Sequence, residues 1–279
     1  MNSSRYCFDT EAVSDFTALC GKFASNAFQS PYRSTVPLLS LVEHSQQDWN
    51  ALLELWGAPT DATVHVEYCV PSANPGGNPS QTDALLMSDS AVWAVEAKWT
   101  EPRYATVAKR LTQQPRYKTT AERLSRREAD LADAKEAVNG WLAHLNQFAE
   151  HPLQLKDVSD VVYQVLHRAA SACAVASARG YEPHLIYLHF HPSPSKNSAT
   201  TKQYISDLGH LYSLLGAPRN VKFVVVEMPI HPTITFESIK DLDKRSPATS
   251  ARVTEALRDG PLFTFGTPTT TRIGDSAEL

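Results

Sequence analysis

Glu96 and Lys98 stand two residues apart in the stretch 81–99, QTDALLMSDSAVWAVEAKW, which reads as two strands joined at Asp89-Ser90. Because side chains alternate along a strand, both residues lie on one face of the second strand. If the two strands pair as a hairpin, Asp83 falls near them. Two carboxylates and an ammonium could hold a divalent metal ion beside a reacting phosphate. The alternative is a surface hairpin with an exposed ion pair that contributes little.

Asp83 with Glu96-Ala97-Lys98 resembles the signature of the PD-(D/E)XK nuclease superfamily, although Thr82 stands where the name-giving Pro would be. The resemblance implies metal-dependent cleavage of phosphodiester bonds, most often in DNA. Asp83, Glu96 and the backbone carbonyl of Ala97 would bind Mg²⁺, for which Mn²⁺ can substitute. Lys98 would orient the attacking water or help to deprotonate it, and would stabilise the transition state.

A helix expected at 157–179 carries a second part of the resemblance. Its segment YQVLHRAASA places Gln164, His167 and Arg168 on one face at spacings of three and four. The superfamily commonly has a helix after the E-x-K strand, often with a Gln that reaches the active site. Gln164 would then be catalytic, by positioning the water or a phosphate oxygen, and His167 and Arg168 would contact nucleic acid. The alternative is an ordinary surface face.

The order of elements predicts an α/β (α+β) fold with a restriction-endonuclease-like αβββαβ core, a mixed central sheet flanked by helices and a helical insertion. We expect an N-terminal helical extension at 1–33, with one amphipathic helix, and a single nuclease domain at 34–260. The insertion spans about 103–156, and the chain ends in a C-terminal tail at 261–279, of which residues 266–279 are expected to be frayed. Helices and strands are expected in the order helix 34–56, strand 63–70, the hairpin, the insertion, helix 157–179, strand 184–191, helix 200–215 and strand 220–228.

Two further acids are candidates for accessory roles at the metal. Glu43 lies on the helix before the first core strand, from which the superfamily often supplies a Glu. Glu67 lies on a strand whose other residues read as buried, where an isolated charge is costly. A solvent-facing position is the alternative for each.

A basic segment follows the hairpin. Between residues 103 and 127 the chain has eight basic side chains against one acidic side chain, with Tyr104 and Tyr117 interleaved. Such a stripe could follow a phosphate backbone, or it could be a solvated helix face. The candidates for nucleic-acid binding are Arg103, Lys109, Arg110, Arg116, Lys118, Arg123, Arg126 and Arg127.

Two other functions remain open at this point. His189 and His191 form an H-x-H pattern on a strand, which puts two imidazoles on one face as in zinc hydrolases. The second alternative is a catalytically silent nuclease-like domain that binds nucleic acid or a protein partner. The presence of Asp83, Glu96 and Lys98 together argues against the silent domain.

Composition sets the broad class. The 279 residues are 42% hydrophobic and 20% charged, with a net charge of −4, which is typical of a globular protein. No apolar run is long enough to cross a membrane, no secretory signal is recognised, and the four cysteines form no C-x-x-C pair. We therefore expect a cytoplasmic protein without membrane association, and the resemblance implies nucleic acid, most often DNA, as its partner. The oligomeric state stays open, and a homodimer is one alternative.

Overall fold

The computed structural model describes residues 5–24, 27–72, 79–112, 120–218, 220–243 and 246–275, and of residues 120–128 the backbone alone. The strands are β1 (Tyr6–Phe8), β2 (Glu11–Val13), β3 (Val64–Val70), β4 (Ser80–Met87), β5 (Ala91–Lys98), β6 (Glu182–His191), β7 (Lys222–Pro232), β8 (Phe263–Phe265) and β9 (Thr269–Ile273). The helices are α1 (Phe16–Lys22), α2 (Thr35–His44), α3 (Gln46–Trp56), α4 (Val107–Thr112), α5 (Thr120–Leu145), α6 (Tyr163–Ser177), α7 (Thr201–Leu214), α8 (Ile234–Ile239) and α9 (Pro247–Asp259).

The strands of the described chain form one mixed sheet in the order β2-β1-β3-β4-β5-β6-β7-β8, and β9 pairs with β7 beside β8. Strands β3, β4 and β5 form an antiparallel meander, whereas β5, β6 and β7 are parallel. Parallel neighbours need crossover connections. The chain provides them through α4, α5 and α6 between β5 and β6, and through α7 between β6 and β7.

Helices cover both faces of this sheet, so that two hydrophobic cores form. The first core holds residues of α1, α2, α3, α8 and α9, and the second holds residues of α5, α6 and α7. Strand β5 lies between them and is buried at all eight positions. An unbroken apolar run is typical of a strand covered on both faces. Glu96 and Lys98 are the charged exceptions within that run.

The mixed α/β fold with helices flanking a central sheet is confirmed, and between residues 34 and 228 the elements follow the predicted order. Ser45 separates α2 from α3, so the helical segment at 34–56 consists of two helices. Among the described residues, none of the helices combines the length and the apolar character that a membrane crossing requires.

The N-terminal segment differs from the single helix expected there. Strands β1 and β2 form a hairpin, and only then does α1 begin, with Asp15 accepting a hydrogen bond from the Ala18 N–H. Asp9 turns the hairpin with a positive φ of 54°, and its carboxylate accepts a hydrogen bond from the Cys69 N–H. Because β1 pairs with β3, sheet pairing outweighed the helical spacing of the apolar residues.

The C-terminal tail also differs from the expectation of a frayed end. Strand β9 pairs antiparallel with Phe223–Glu227 of β7, and β8 pairs with the last residues of the same strand. The segment 269–273 is TTTRI, whose β-branched residues favour strands. The tail therefore completes one edge of the sheet.

Leu166 lies on α6, the helix that carries Gln164 and Arg168, and its side chain is fully buried in the second core. We expect Leu166→Ala to lower the free energy of unfolding by about 2–5 kcal/mol, because it leaves a cavity. Ile234 is 88% exposed, so Ile234→Ala should change it by no more than about 0.5 kcal/mol. Urea denaturation of the two variants is the measurement, and equal small effects would contradict the packing described for α6.

Candidate active site

The Glu96 carboxylate is the meeting point of the predicted site residues. It is 2% exposed, and its Oε1 accepts hydrogen bonds from Lys98 Nζ at 2.6 Å and from Gln164 Nε2 at 3.0 Å. Its Oε2 lies 2.6 Å from Nε of Arg168. Burying a carboxylate is costly unless it is paired and hydrogen-bonded. Here two cations and an amide surround it.

Secondary-structure periodicity brings these groups together. Glu96 and Lys98 share the face of β5 that contacts α6, since residues two apart in a strand point the same way. Gln164 and Arg168 are four residues apart on α6 and therefore also share a face. Arg168 Nη1 additionally donates to Ser80 Oγ at 2.7 Å, which connects α6 to the start of β4.

Asp83 lies where β4 and β5 stop pairing through their backbones. The last backbone pair is Ala84 with Val95, so the register continues to Asp83 opposite Glu96. There the Asp83 Oδ2 accepts a hydrogen bond from the Ala97 N–H at 2.8 Å. Among the described residues, its Oδ1 has no hydrogen-bond partner. One carboxylate oxygen therefore fixes the side chain and the other is available to a ligand.

Glu67 lies opposite Asp83 on the other neighbouring strand. The flanking pairs are Val66 with Ala84 and Tyr68 with Thr82, and Glu67 itself has a left-handed φ of 53°. The strand changes face at this residue, since Val66 belongs to the first core and Tyr68 to the second. A non-glycine residue in this region is strained by about 1–2 kcal/mol. Such strain is concentrated at functional sites.

The charges of the site are unequal, with Asp83, Glu96 and Glu67 against Lys98 and Arg168. Burial and the neighbouring Glu96 raise the pKa of Asp83 well above its ordinary value, and the same two causes raise the pKa of Glu67. Burial would also raise the pKa of Glu96, but Arg168 and Lys98 hold it below its ordinary value. This excess of negative charge favours a cation.

Lys98 is only 3% exposed, and burial alone would lower its pKa. The carboxylates of Glu96 and Asp83 overcome that effect and raise the pKa above the ordinary lysine value. Lys98 therefore remains an ammonium ion. It can donate hydrogen bonds, and it cannot accept a proton from water near neutral pH.

The structure places the other predicted acid, Glu43, away from this cluster. Its carboxylate accepts a hydrogen bond from the Tyr6 hydroxyl and lies 3.5 Å from Arg5 Nη1. None of the hydrogen bonds of Asp83 or Glu96 in the described chain involves it. Glu43 joins α2 to β1, whereas Glu67 adjoins the site.

The predicted nucleic-acid contacts are divided among different environments. Arg103 pairs with Asp207, with Nη2–Oδ1 and Nε–Oδ2 distances of 2.5 and 3.0 Å. Lys109 and Arg110 are exposed on α4. Arg168 binds Glu96 and so belongs to the site itself. The side chains of the remaining candidates, Arg116, Lys118, Arg123, Arg126 and Arg127, lie outside the described residues.

His167 is half-buried between two aromatic side chains. Its ring lies 4.4 Å from the Trp141 ring and 5.5 Å from the Tyr163 ring, centroid to centroid. Burial, with a further contribution from Arg168, lowers its pKa to about 3. His167 is therefore neutral at physiological pH and offers no positive charge to a phosphate.

The two histidines considered for zinc are held differently. His189 is buried with its Nδ1 2.8 Å from Thr201 Oγ1, and the Thr201 hydroxyl donates to Glu227. Burial lowers the pKa of His189 to about 4. His191 is exposed at the end of β6. Within the described ranges, no group of three or more His, Cys, Asp or Glu side chains is placed to hold a metal, at these histidines or elsewhere.

Sequence reasoning placed Arg168 on a nucleic-acid surface and missed its pairing with Glu96. Ser80, which also binds Arg168, was missed as well. The signal was the spacing of four between Gln164 and Arg168: if one reaches the E-x-K strand, the other does too. No comparable spacing in the sequence indicated that Thr201 and Glu227 would lie beside His189.

Comparison with known families adds one finding. A family model described as a domain of unknown function, DUF6946, matches residues 11–235. The chain belongs to this family. The matched part of this DUF6946 protein ends before α9, β8 and β9. It contains the site residues Asp83, Glu96, Lys98, Gln164 and Arg168. No curated protein and no solved structure matches the chain.

Glu67→Gly tests whether the left-handed backbone is strained. Glycine adopts this conformation freely, so we expect the free energy of unfolding to rise by up to about 1 kcal/mol. Glu67→Ala removes the same carboxylate and keeps the Cβ, and it is the matched control. Chemical denaturation compares the two, and an alanine variant as stable as the glycine variant would show that the backbone stores no strain.

Asp83→Asn tests the excess of negative charge. The native state binds the Asp83 proton more tightly than the unfolded chain does. The stabilisation of the native state by this proton is therefore complete below the unfolded pKa of about 3.9, and it is lost as the pH rises through the raised native pKa. We expect Asp83→Asn to be more stable than wild type at pH 7 in EDTA, and the difference to vanish near pH 4.

Glu96→Gln should be less stable than wild type at pH 7, in contrast to Asp83→Asn, because it leaves Lys98 and Arg168 buried without their anion. The ion pairs of Glu96 with Lys98 and Arg168 therefore set it apart from Asp83. Thermal unfolding across pH 4–8 measures both variants. A destabilised Asp83→Asn protein at pH 7 would contradict the charge excess.

Proposed function

We propose that this DUF6946 protein is a metal-dependent nuclease of the PD-(D/E)XK type that hydrolyses phosphodiester bonds, with DNA as the first substrate to test. The proposal rests on one observation. Lys98 and Gln164 bind Glu96, and Asp83 binds the N–H of the adjacent Ala97, at the point where β4 and β5 separate. The resemblance in sequence requires this convergence, and an exposed ion pair would not show it.

The arrangement of elements supports the proposal. The restriction-endonuclease-like core requires a helix, an antiparallel meander of three strands, a second helix and a strand parallel to the third. Helix α3, the meander of β3, β4 and β5, helix α6 and strand β6 follow this order. Helices α4 and α5 occupy the place of the predicted insertion.

The residues of the site fit a hard divalent cation. Asp83 presents one carboxylate oxygen without a partner, and Glu96 and the backbone carbonyl of Ala97 would complete the protein ligands. Oxygen ligands with several retained waters suit Mg²⁺, and Mn²⁺ is the natural substitute. When bound, the metal would lower the pKa of a water and neutralise charge on the phosphate.

Lys98 would act as an electrostatic donor in this reaction. Its ammonium is held beside the carboxylates, where it can orient the attacking water and stabilise charge developing on the phosphate. Because its pKa is raised, the structure favours this role over proton abstraction.

Gln164 and Arg168 would have separate roles. The Gln164 amide donates one hydrogen to Glu96, which leaves its other N–H and its carbonyl for water or a phosphate oxygen. Arg168 acts as a positioning residue, since it binds Glu96 and Ser80 and so fixes the carboxylate against the sheet.

The decisive experiment incubates the protein with supercoiled, linear and single-stranded DNA and with RNA, in Mg²⁺, Mn²⁺ or EDTA. We expect cleavage of DNA with either metal, none in EDTA, and a loss of at least about 100-fold in Asp83→Asn and Glu96→Gln. Glu54 is an exposed acid on α3, and Glu54→Gln should cleave like wild type. Asp83→Asn is the stricter variant, because it is expected to fold stably. Cleavage that survives in Asp83→Asn would place the chemistry elsewhere.

A further inference from the structure

A cavity adjoins the candidate site on the neighbouring face of α6. Its volume is about 490 Å³, and it lies among α4, α5 and α6. Its walls include two aromatic rings, a histidine, an arginine and small aliphatic side chains: Arg110, Ala137, Val138, Trp141, Tyr163 and His167. None of these side chains has a role in the chemistry at Glu96.

The aromatic side chains of this cavity form a continuous series. The Arg110 guanidinium lies 4.3 Å from the centre of the Tyr163 ring. The Tyr163 ring stacks on His167 at 5.5 Å with an interplanar angle of 30°, and the edge of His167 meets Trp141 at 4.4 Å. Flat π faces and a guanidinium are the groups that bind nucleobases by stacking.

His167 also supplies a polar atom without a partner. Its Nε2 is buried, and no residue of the described chain forms a hydrogen bond with it. A buried polar atom of this kind is costly unless a ligand or water satisfies it. The edge of a nucleobase carries both donors and acceptors, so it can pair with a neutral imidazole in either tautomer.

The geometry of α6 relates this cavity to the catalytic cluster. Tyr163 and His167 are four residues apart and share one face of the helix, and Gln164 and Arg168 share the next face. A strand whose phosphate lay at Glu96 would therefore have a nearby base within reach of the cavity. A base paired inside a duplex could not enter it, because its faces and its edge are occupied.

We propose that this cavity binds one unpaired nucleobase of the nucleic-acid strand, either single-stranded or turned out of a duplex. The inference rests on the proposed nuclease function and deepens it, because it names the substrate class. It makes single-stranded, mismatched or branched DNA a better ligand than continuous duplex.

The test measures binding, in EDTA, of two fluorescein-labelled DNA single strands of equal length. One carries all its bases, and the other carries abasic tetrahydrofuran at every position, so that both have the same charge. Fluorescence anisotropy should show the wild-type protein binding the base-bearing strand on the order of tenfold more tightly, which is the effect of about one stacked base.

Variants of two cavity residues locate the effect. Tyr163→Ala removes a ring of this series and should abolish the preference for bases, whereas Tyr163→Phe keeps the ring and should retain it. Ala137→Trp fills the cavity without removing any wall residue, and it should abolish the preference even if Tyr163→Ala folds poorly. Tyr181 lies beyond the other end of α6, so Tyr181→Ala is the matched control that should behave like wild type.

The outcomes separate this inference from the proposed function. Equal binding of both strands would overturn the base cavity and leave the nuclease proposal standing. A preference for bases that persists in both Tyr163→Ala and Ala137→Trp would also overturn it, because the base would bind elsewhere. Failure to bind either strand, together with failure to cleave any nucleic acid, would overturn the nuclease proposal itself.

Discussion

The buried Glu96 carboxylate is the interaction on which the rest of this structure depends. An ionised carboxylate in a hydrophobic core is tolerated only with full hydrogen bonding and opposite charge. Lys98 comes from the same strand, but Gln164 and Arg168 come from α6, so the charge can be satisfied only when helix and sheet are correctly packed. The geometry of the site therefore depends on the packing of the second core.

Two residues near that carboxylate have features that lower the stability of the fold. Glu67 adopts a backbone conformation that disfavours a side chain, and Asp83 is buried beside a like charge. Neither feature is needed to hold the sheet together, because β3 and β4 pair on both sides of Glu67 and Asp83. Residues that oppose stability within a cluster of buried charges are characteristic of sites selected for binding or chemistry. This contrast between local strain and a well-packed frame supports a functional interpretation for the DUF6946 family.

The part of the site that sequence could predict follows from periodicity. Alternation along β5 put Glu96 and Lys98 on one face, and the spacing of four on α6 put Gln164 near Arg168. Such rules fix which side chains share a face, and they do not fix what that face meets. For that reason Glu43 was placed near the metal, whereas it binds Tyr6, and the pairing of Arg168 was missed.

The fold was predictable to a similar extent and for similar reasons. Long apolar runs and clear helix stops defined the elements between residues 34 and 228, because local sequence decides them. The hairpin of β1 and β2 and the strand β9 depend on partners far away in the chain. Short segments of this kind take their structure from the sheet edge that they join, which local periodicity does not reveal.

Strand β9 pairs with β7 but is synthesised well after it, and this order has a consequence for folding during synthesis. Strand β7 is apolar over most of its length, and in the described chain one of its edges pairs with β8 and β9, which follow it after two helices. Until the ribosome has released those segments, β7 presents an open edge on which another chain could add a strand. Nascent or truncated molecules are therefore the forms most prone to aggregate, and chaperone binding during translation would act on this edge first.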